Sequence, residues 1–80
     1  MLIDGDRFRK ARSLLGWSIV ELAGHAGVSR STIENIETGR RRVSRRLVLA
    51  ARTALETAGV EFIAENGGGA GVRLRRPEVK

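Results

Sequence analysis

The sequence predicts a mainly α domain: four helices that include a helix-turn-helix, then a short C-terminal β-hairpin or dimer-completing strands. Three observations predict it. Ser18, Ser29 and Ser44 each stand just ahead of a helix-periodic run, where an N-cap belongs. Gly16, Gly27, Gly39 and Gly59 stand where such runs stop. Beyond Gly59, short segments that alternate apolar and charged residues flank Asn66-Gly67-Gly68-Gly69-Ala70-Gly71, which no helix tolerates.

Taken in order, Asp4 or Asp6 can cap a first helix that runs to about Leu15. Phe8, Ala11, Arg12 and Leu15 recur there at helical spacing, and Gly16 ends it. Ser18 opens a second helix, with Glu21 three residues on in a capping-box pattern, and that helix ends near Ala26. Gly27 suits the left-handed corner. Ser29 opens a third helix over about Arg30 to Glu37, closed by Gly39. Leu22, Ala23, Ala26, Val28, Ile33 and Ile36 fall where the second and third helices touch, and small Ala23 suits the crossing. Ser44 opens the longest helix, whose expected buried stripe is Leu47, Ala50, Ala51, Ala54, Leu55 and Ala58. Val60-Glu61-Phe62-Ile63 and Val72-Arg73-Leu74-Arg75 read as two strands. Two strands alone are marginal in water. They need either the fourth helix of their own chain or the same elements of a second copy. The expected organisation is a helical unit over 1–59, a β extension over 60–76 that serves dimerisation, and a frayed tail over 77–80.

Eighty residues make one small domain with a thin core, which a partner subunit would help. The absence of cysteine removes disulfides and thiolate metal sites, and one histidine makes no metal site by itself. No metal and no cofactor are expected. No apolar run reaches the length of a membrane span, and Met1 to Asp6 lack the order of a signal peptide. The expectation is a soluble, cytoplasmic, nucleoid-associated chain. The net charge is +6, and every basic residue except Lys10 and Lys80 is arginine, whose planar fork grips phosphate. Arg40 to Arg46 holds five arginines in seven positions. A polar helix face beside a cationic block suits a duplex. The triple glycine lacks the lysine and helix of a phosphate loop. No pairing of nucleophile and base, and no paired carboxylates, suggest an enzyme.

Leu22-Ala23, Ala26-Gly27-Val28-Ser29, Ile33 and Ile36-Glu37-x-Gly39-Arg40 resemble the phage-repressor helix-turn-helix group, the Cro-like or Xre family, from about Phe8 to Leu55. The tail resembles the ending of many small bacterial regulators of this type. The resemblance implies a four-helix, lambda-repressor-like domain that binds double-stranded DNA. Arg30, Ser31 and Asn35 stand where the family places its base-reading side chains. Arginine can bond guanine O6 and N7, and asparagine adenine N6 and N7; phosphate contact is the alternative for Arg30. Ser18, Ser29, Thr32, Arg40, Arg41, Arg42 and Arg45 are the candidate phosphate contacts, with helix capping the other role open to Ser29. Arg12 and Glu37 match the family's internal ion pair, a positioning device. Ile19 departs from the family, which usually has glutamine there. Ser18, Trp17 or the helix N-terminus must then anchor the backbone, or the docking angle differs. Trp17 itself can serve the core, touch a sugar edge or shield the first helix.

These features imply a sequence-specific transcriptional regulator, a repressor by preference, binding an inverted repeat as a homodimer through the fourth helix and the β tail, with Val60, Phe62, Val72 and Leu74 as its dimer residues. The rival from another class is an antitoxin that autoregulates its operon and holds a toxin with its glycine-containing tail. A non-specific nucleoid protein is a third reading. No small-molecule substrate is expected.

Overall fold

The computed structural model describes residues 5–63 and 71–75. Asp4, most of the glycine loop and the 77–80 tail lie outside them. Four helices come first: α1 (Gly5–Leu15), α2 (Ile19–Ala26), α3 (Arg30–Thr38) and α4 (Arg45–Thr57). Two strands follow, β1 (Val60–Ile63) and β2 (Gly71–Leu74).

Local chemistry sets the helix ends. The Ser18 hydroxyl accepts from the Glu21 amide at 3.0 Å, and the Glu21 carboxylate accepts from the Ser18 amide at 2.7 Å. Both halves of the capping box are therefore made. Ser29 and Ser44 likewise accept from the Thr32 and Leu47 amides. Gly27 turns the chain from α2 toward α3 with φ 71°, a left-handed conformation that costs other residues steric strain. The Val28 amide then bonds back to the Ala23 carbonyl at 3.1 Å, which tightens the corner.

One core joins all four helices and the first strand. Phe8, Ala11, Leu22, Ala23, Ile33, Ile36, Val48, Ala51, Leu55 and Val60 are buried in it. Each large apolar side chain removed from water contributes roughly 1.5–3 kcal/mol. The stripe of α4 differs from the expected one. Val48, Ala51 and Leu55 form it, Leu47, Ala50 and Ala54 are half-buried, and Ala58 is exposed. Leu47-Val48-Leu49 is apolar throughout, so periodicity alone leaves the phase of the helix open there. Packing of α4 against the other elements puts Val48 in the core.

The strands pair antiparallel, with Val60 opposite Leu74 and Phe62 opposite Val72. They dock on α1 as well as on α4 of their own chain. The Phe62 ring lies 5.9 Å from Phe8 of α1, and the Arg52 guanidinium sits over the Phe62 ring, 5.4 Å from its centroid. Arg75 closes the return: its amide donates to the Gly59 carbonyl at 2.6 Å. No helix among the described residues is long and apolar enough to cross a membrane.

Candidate nucleic-acid interface

α3 is two-sided. Ile33, Ile36 and Glu37 turn inward and are buried. Arg30 and Ser31 are exposed, and Thr32, Glu34 and Asn35 are half-buried. The three residues suggested for base reading thus occupy the side of α3 that the core does not use. Arg40, Arg41, Arg42 and Arg45 follow directly and are all exposed. The turn out of α3 is shaped by Gly39, at φ 70°, and by Thr38, whose hydroxyl accepts from the Arg40 amide at 3.2 Å.

The buried ion pair fixes this surface to the rest of the molecule. Arg12 on α1 grips Glu37 with two parallel bonds, Nε to Oε2 at 2.7 Å and Nη2 to Oε1 at 2.9 Å. Its third donor, Nη1, reaches the Trp17 carbonyl at 3.0 Å. One guanidinium therefore ties α1, the lead into α2 and the end of α3 into one frame. Ser18 at the start of α2 and the arginines after α3 hang from that frame. Glu37 is the buried charged residue of the described core, at 7% exposure. The bond to Glu37 holds the Arg12 pKa above its ordinary value, against the opposing effect of burial. Glu37 gains no net advantage by being there unless its partner stays, because a desolvated carboxylate without a cation is costly.

The serines at the helix starts have double duties. Ser29 accepts from the Thr32 amide while its hydroxyl also meets the Thr32 hydroxyl at 2.9 Å. Ser18 accepts at its cap and keeps a hydroxyl donor, and at Ser29 the paired Ser29 and Thr32 hydroxyls share one bond that leaves one of the two with its donor. Ile19 is half-buried and packs against the core, so the departure from glutamine substitutes an apolar contact for a polar arm. Trp17 packs against the same core.

The four residues expected at a dimer contact divide. Val60 is enclosed by its own chain at 1% exposure, and Phe62 and Val72 are half-buried against the helices. Leu74 stands 45% exposed.

Three features escaped the sequence reading. Glu34 accepts a bond from Arg30 Nε at 3.1 Å, a pairing signalled by their i,i+4 spacing. His25 stacks on Trp17, with ring centroids 4.1 Å apart and planes 3° from parallel. That stack edges an open groove of about 670 Å³ between α2 and α4, lined also by Arg46, Leu49 and Thr53. Nothing in the spacing of these residues marks the groove in advance.

The arrangement offers hydrogen-bonding side chains on a rigid rod, capped at its start, with a fixed cationic flank. No cluster of histidine, cysteine or carboxylates suited to a metal occurs among the described residues. Comparison with curated proteins gives no match. A family profile described as a helix-turn-helix domain matches residues 5–62, from the start of α1 into β1. By that match, over most of its length, the chain belongs to the helix-turn-helix domain family and carries a DNA-binding domain.

Proposed function

We propose that this protein is a sequence-specific transcriptional regulator of the Cro-like or Xre kind, acting as a repressor on an inverted-repeat operator. α3 enters the major groove, and Arg30, Ser31 and Asn35 meet base edges. Ser18, Ser29, Thr32, Arg40, Arg41, Arg42 and Arg45 meet the sugar-phosphate strands, which set orientation and most of the salt-dependent affinity. The observation that carries this reading is the two-sided character of α3. Its inner side is locked into the core, and its outer side exposes Arg30 and Ser31 next to a run of exposed arginines.

Two copies would present two such helices, about 34 Å apart for half-sites one turn apart. The hairpin is the proposed contact, through Leu74 and its unpaired strand edges. Val60, Phe62 and Val72 support that contact from inside their own subunit. Pairing across a two-fold axis would also cover edges that otherwise invite aggregation. A regulator of this kind works in the cytoplasm, on the nucleoid.

Selection of duplexes from a randomised pool tests the reading. The expected product is a single enriched motif with two-fold symmetry. Retention of all sequences alike, with affinity falling steeply in salt, would instead describe a non-specific DNA coat. Co-purification of a second small protein that releases the motif would favour the antitoxin reading.

A further inference from the structure

Arg30 does not stand alone on the outer side of α3. Its Nε donates to Glu34 Oε2 at 3.1 Å, one turn further along, with side-chain exposures of 68% and 44%. An exposed pair at this spacing adds only about 0.3–0.5 kcal/mol to a helix. Its consequence lies in what Arg30 can still offer. Arginine carries five N–H donors in a fixed fork. The bond engages Nε, so the side-on grip, which needs Nε and one terminal nitrogen, is taken. The end-on grip through the two terminal nitrogens remains, and a pair of donors is what guanine O6 and N7 require. The carboxylate also offsets the charge of Arg30 and repels phosphate oxygens nearby. A bare arginine at that position would be drawn to the backbone by charge alone.

We propose that Glu34 is a positioning residue for base recognition: it holds Arg30 end-on for guanine and keeps it off the phosphates. The proposal rests on α3 being the reading helix. It makes a prediction of unusual sign. Removal of Glu34 frees Arg30 for the backbone, so binding to arbitrary DNA tightens while the preference for guanine weakens. An acid that only supported the helix would weaken both.

The test uses the full chain and the duplex enriched from a randomised pool. Affinities are measured for that duplex, for its single-base variants and for a scrambled duplex, at equal folded fraction by circular dichroism. The proteins are wild type, Arg30→Ala, Glu34→Ala, Glu34→Gln and the double variant Arg30→Ala/Glu34→Ala. The guanine whose preference Arg30→Ala abolishes identifies the contact. At that base, Glu34→Ala is expected to reduce discrimination about two-fold, the shift in rotamer population that an exposed pair of this strength can supply. The same change is expected to tighten binding to the scrambled duplex. Glu34→Gln keeps an oxygen that accepts from Nε, so it restores much of the discrimination. In the Arg30→Ala background, loss of Glu34 changes discrimination at that base no further. Unchanged discrimination in Glu34→Ala, or an equal loss with and without Arg30, overturns the role of Glu34 and leaves the reading helix intact. A wild-type chain that enriches no sequence overturns both. Enrichment of a motif in which Arg30→Ala alters no guanine overturns this proposal alone.

Discussion

At the scale of single residues, Glu37 is a charge held inside the core. It is nearly enclosed, and Arg12 meets both of its oxygens. Replacement by glutamine leaves Arg12 with one acceptor and an unbalanced charge. Removing one partner of a buried pair costs roughly 3–5 kcal/mol, here an upper bound because the Arg12 side chain keeps 17% exposure. Glu37→Gln should therefore lower the denaturant midpoint markedly, whereas the double apolar replacement of Arg12 and Glu37 by methionine should recover much of it. A double variant no better than the single one would mean that the pair itself, and not the orphaned charge, supplies the stability. The raised pKa of Arg12 gives its contribution a clear sign. The contribution is complete below the ordinary arginine pKa and is lost only as pH rises through the higher folded value. Deprotonation of Arg12 therefore does not open the pair in neutral solution.

Sequence legibility at this scale follows distance along the chain. The Ser18–Glu21 box is local, and its two residue types announce it. Arg12–Glu37 is remote, and only a family resemblance pointed to it. Gly5 carried no signal. A Cβ there would collide with the carbonyl groups of Ile36 and Glu37, so α1 approaches the end of α3 at a distance that only glycine permits. The stack of His25 on Trp17 was equally silent, since neither residue has a periodic partner that reveals it.

Among the elements, α2 and α3 were legible from caps and corner alone because those signals act within a few residues. α4 was legible in extent and not in phase: an unbroken apolar start offers more than one inward face, and its neighbours choose between them. The hairpin was legible as two strands, while its seat was not. Phe62 settles that seat by lying beside Phe8 of α1. Full burial of a phenylalanine that is cut to alanine costs about 3–5 kcal/mol, so half-buried Phe62 should cost about 2–3 kcal/mol. Phe62→Ala should also speed amide exchange first in β1 and β2, before α2 and α3. Uniform acceleration through all elements would show that the hairpin and the helices open as one unit. The Glu61–Arg73 pair across the strands, at 2.7 Å, is exposed and adds at most about 1 kcal/mol.

For the whole molecule, charge and shape act together. Exposed arginines after α3 and a net charge of +6 favour approach to any duplex, and in the proposed reading the outer side of α3 decides among duplexes. In the proposed dimer a single copy would grip one half-site. The exposed Leu74 gives a way to separate the proposed dimerisation from folding, because its side chain is not part of the core. Leu74→Lys should give a folded monomer by sedimentation, with a melting temperature near wild type at low concentration and a much weaker hold on a symmetric site. A dimer of unchanged affinity would move the interface to another face, such as the α4 surface at Leu49.

In the proposed complex, α3 reads bases from the major groove. Methylation interference on the enriched duplex tests it directly, because guanine N7 faces the major groove and adenine N3 the minor groove. Modification of N7 at one or two guanines in each half-site should abolish binding, with adenine N3 modification at the same steps tolerated. Binding that survives every N7 modification, or that fails only when N3 is blocked, would contradict the account.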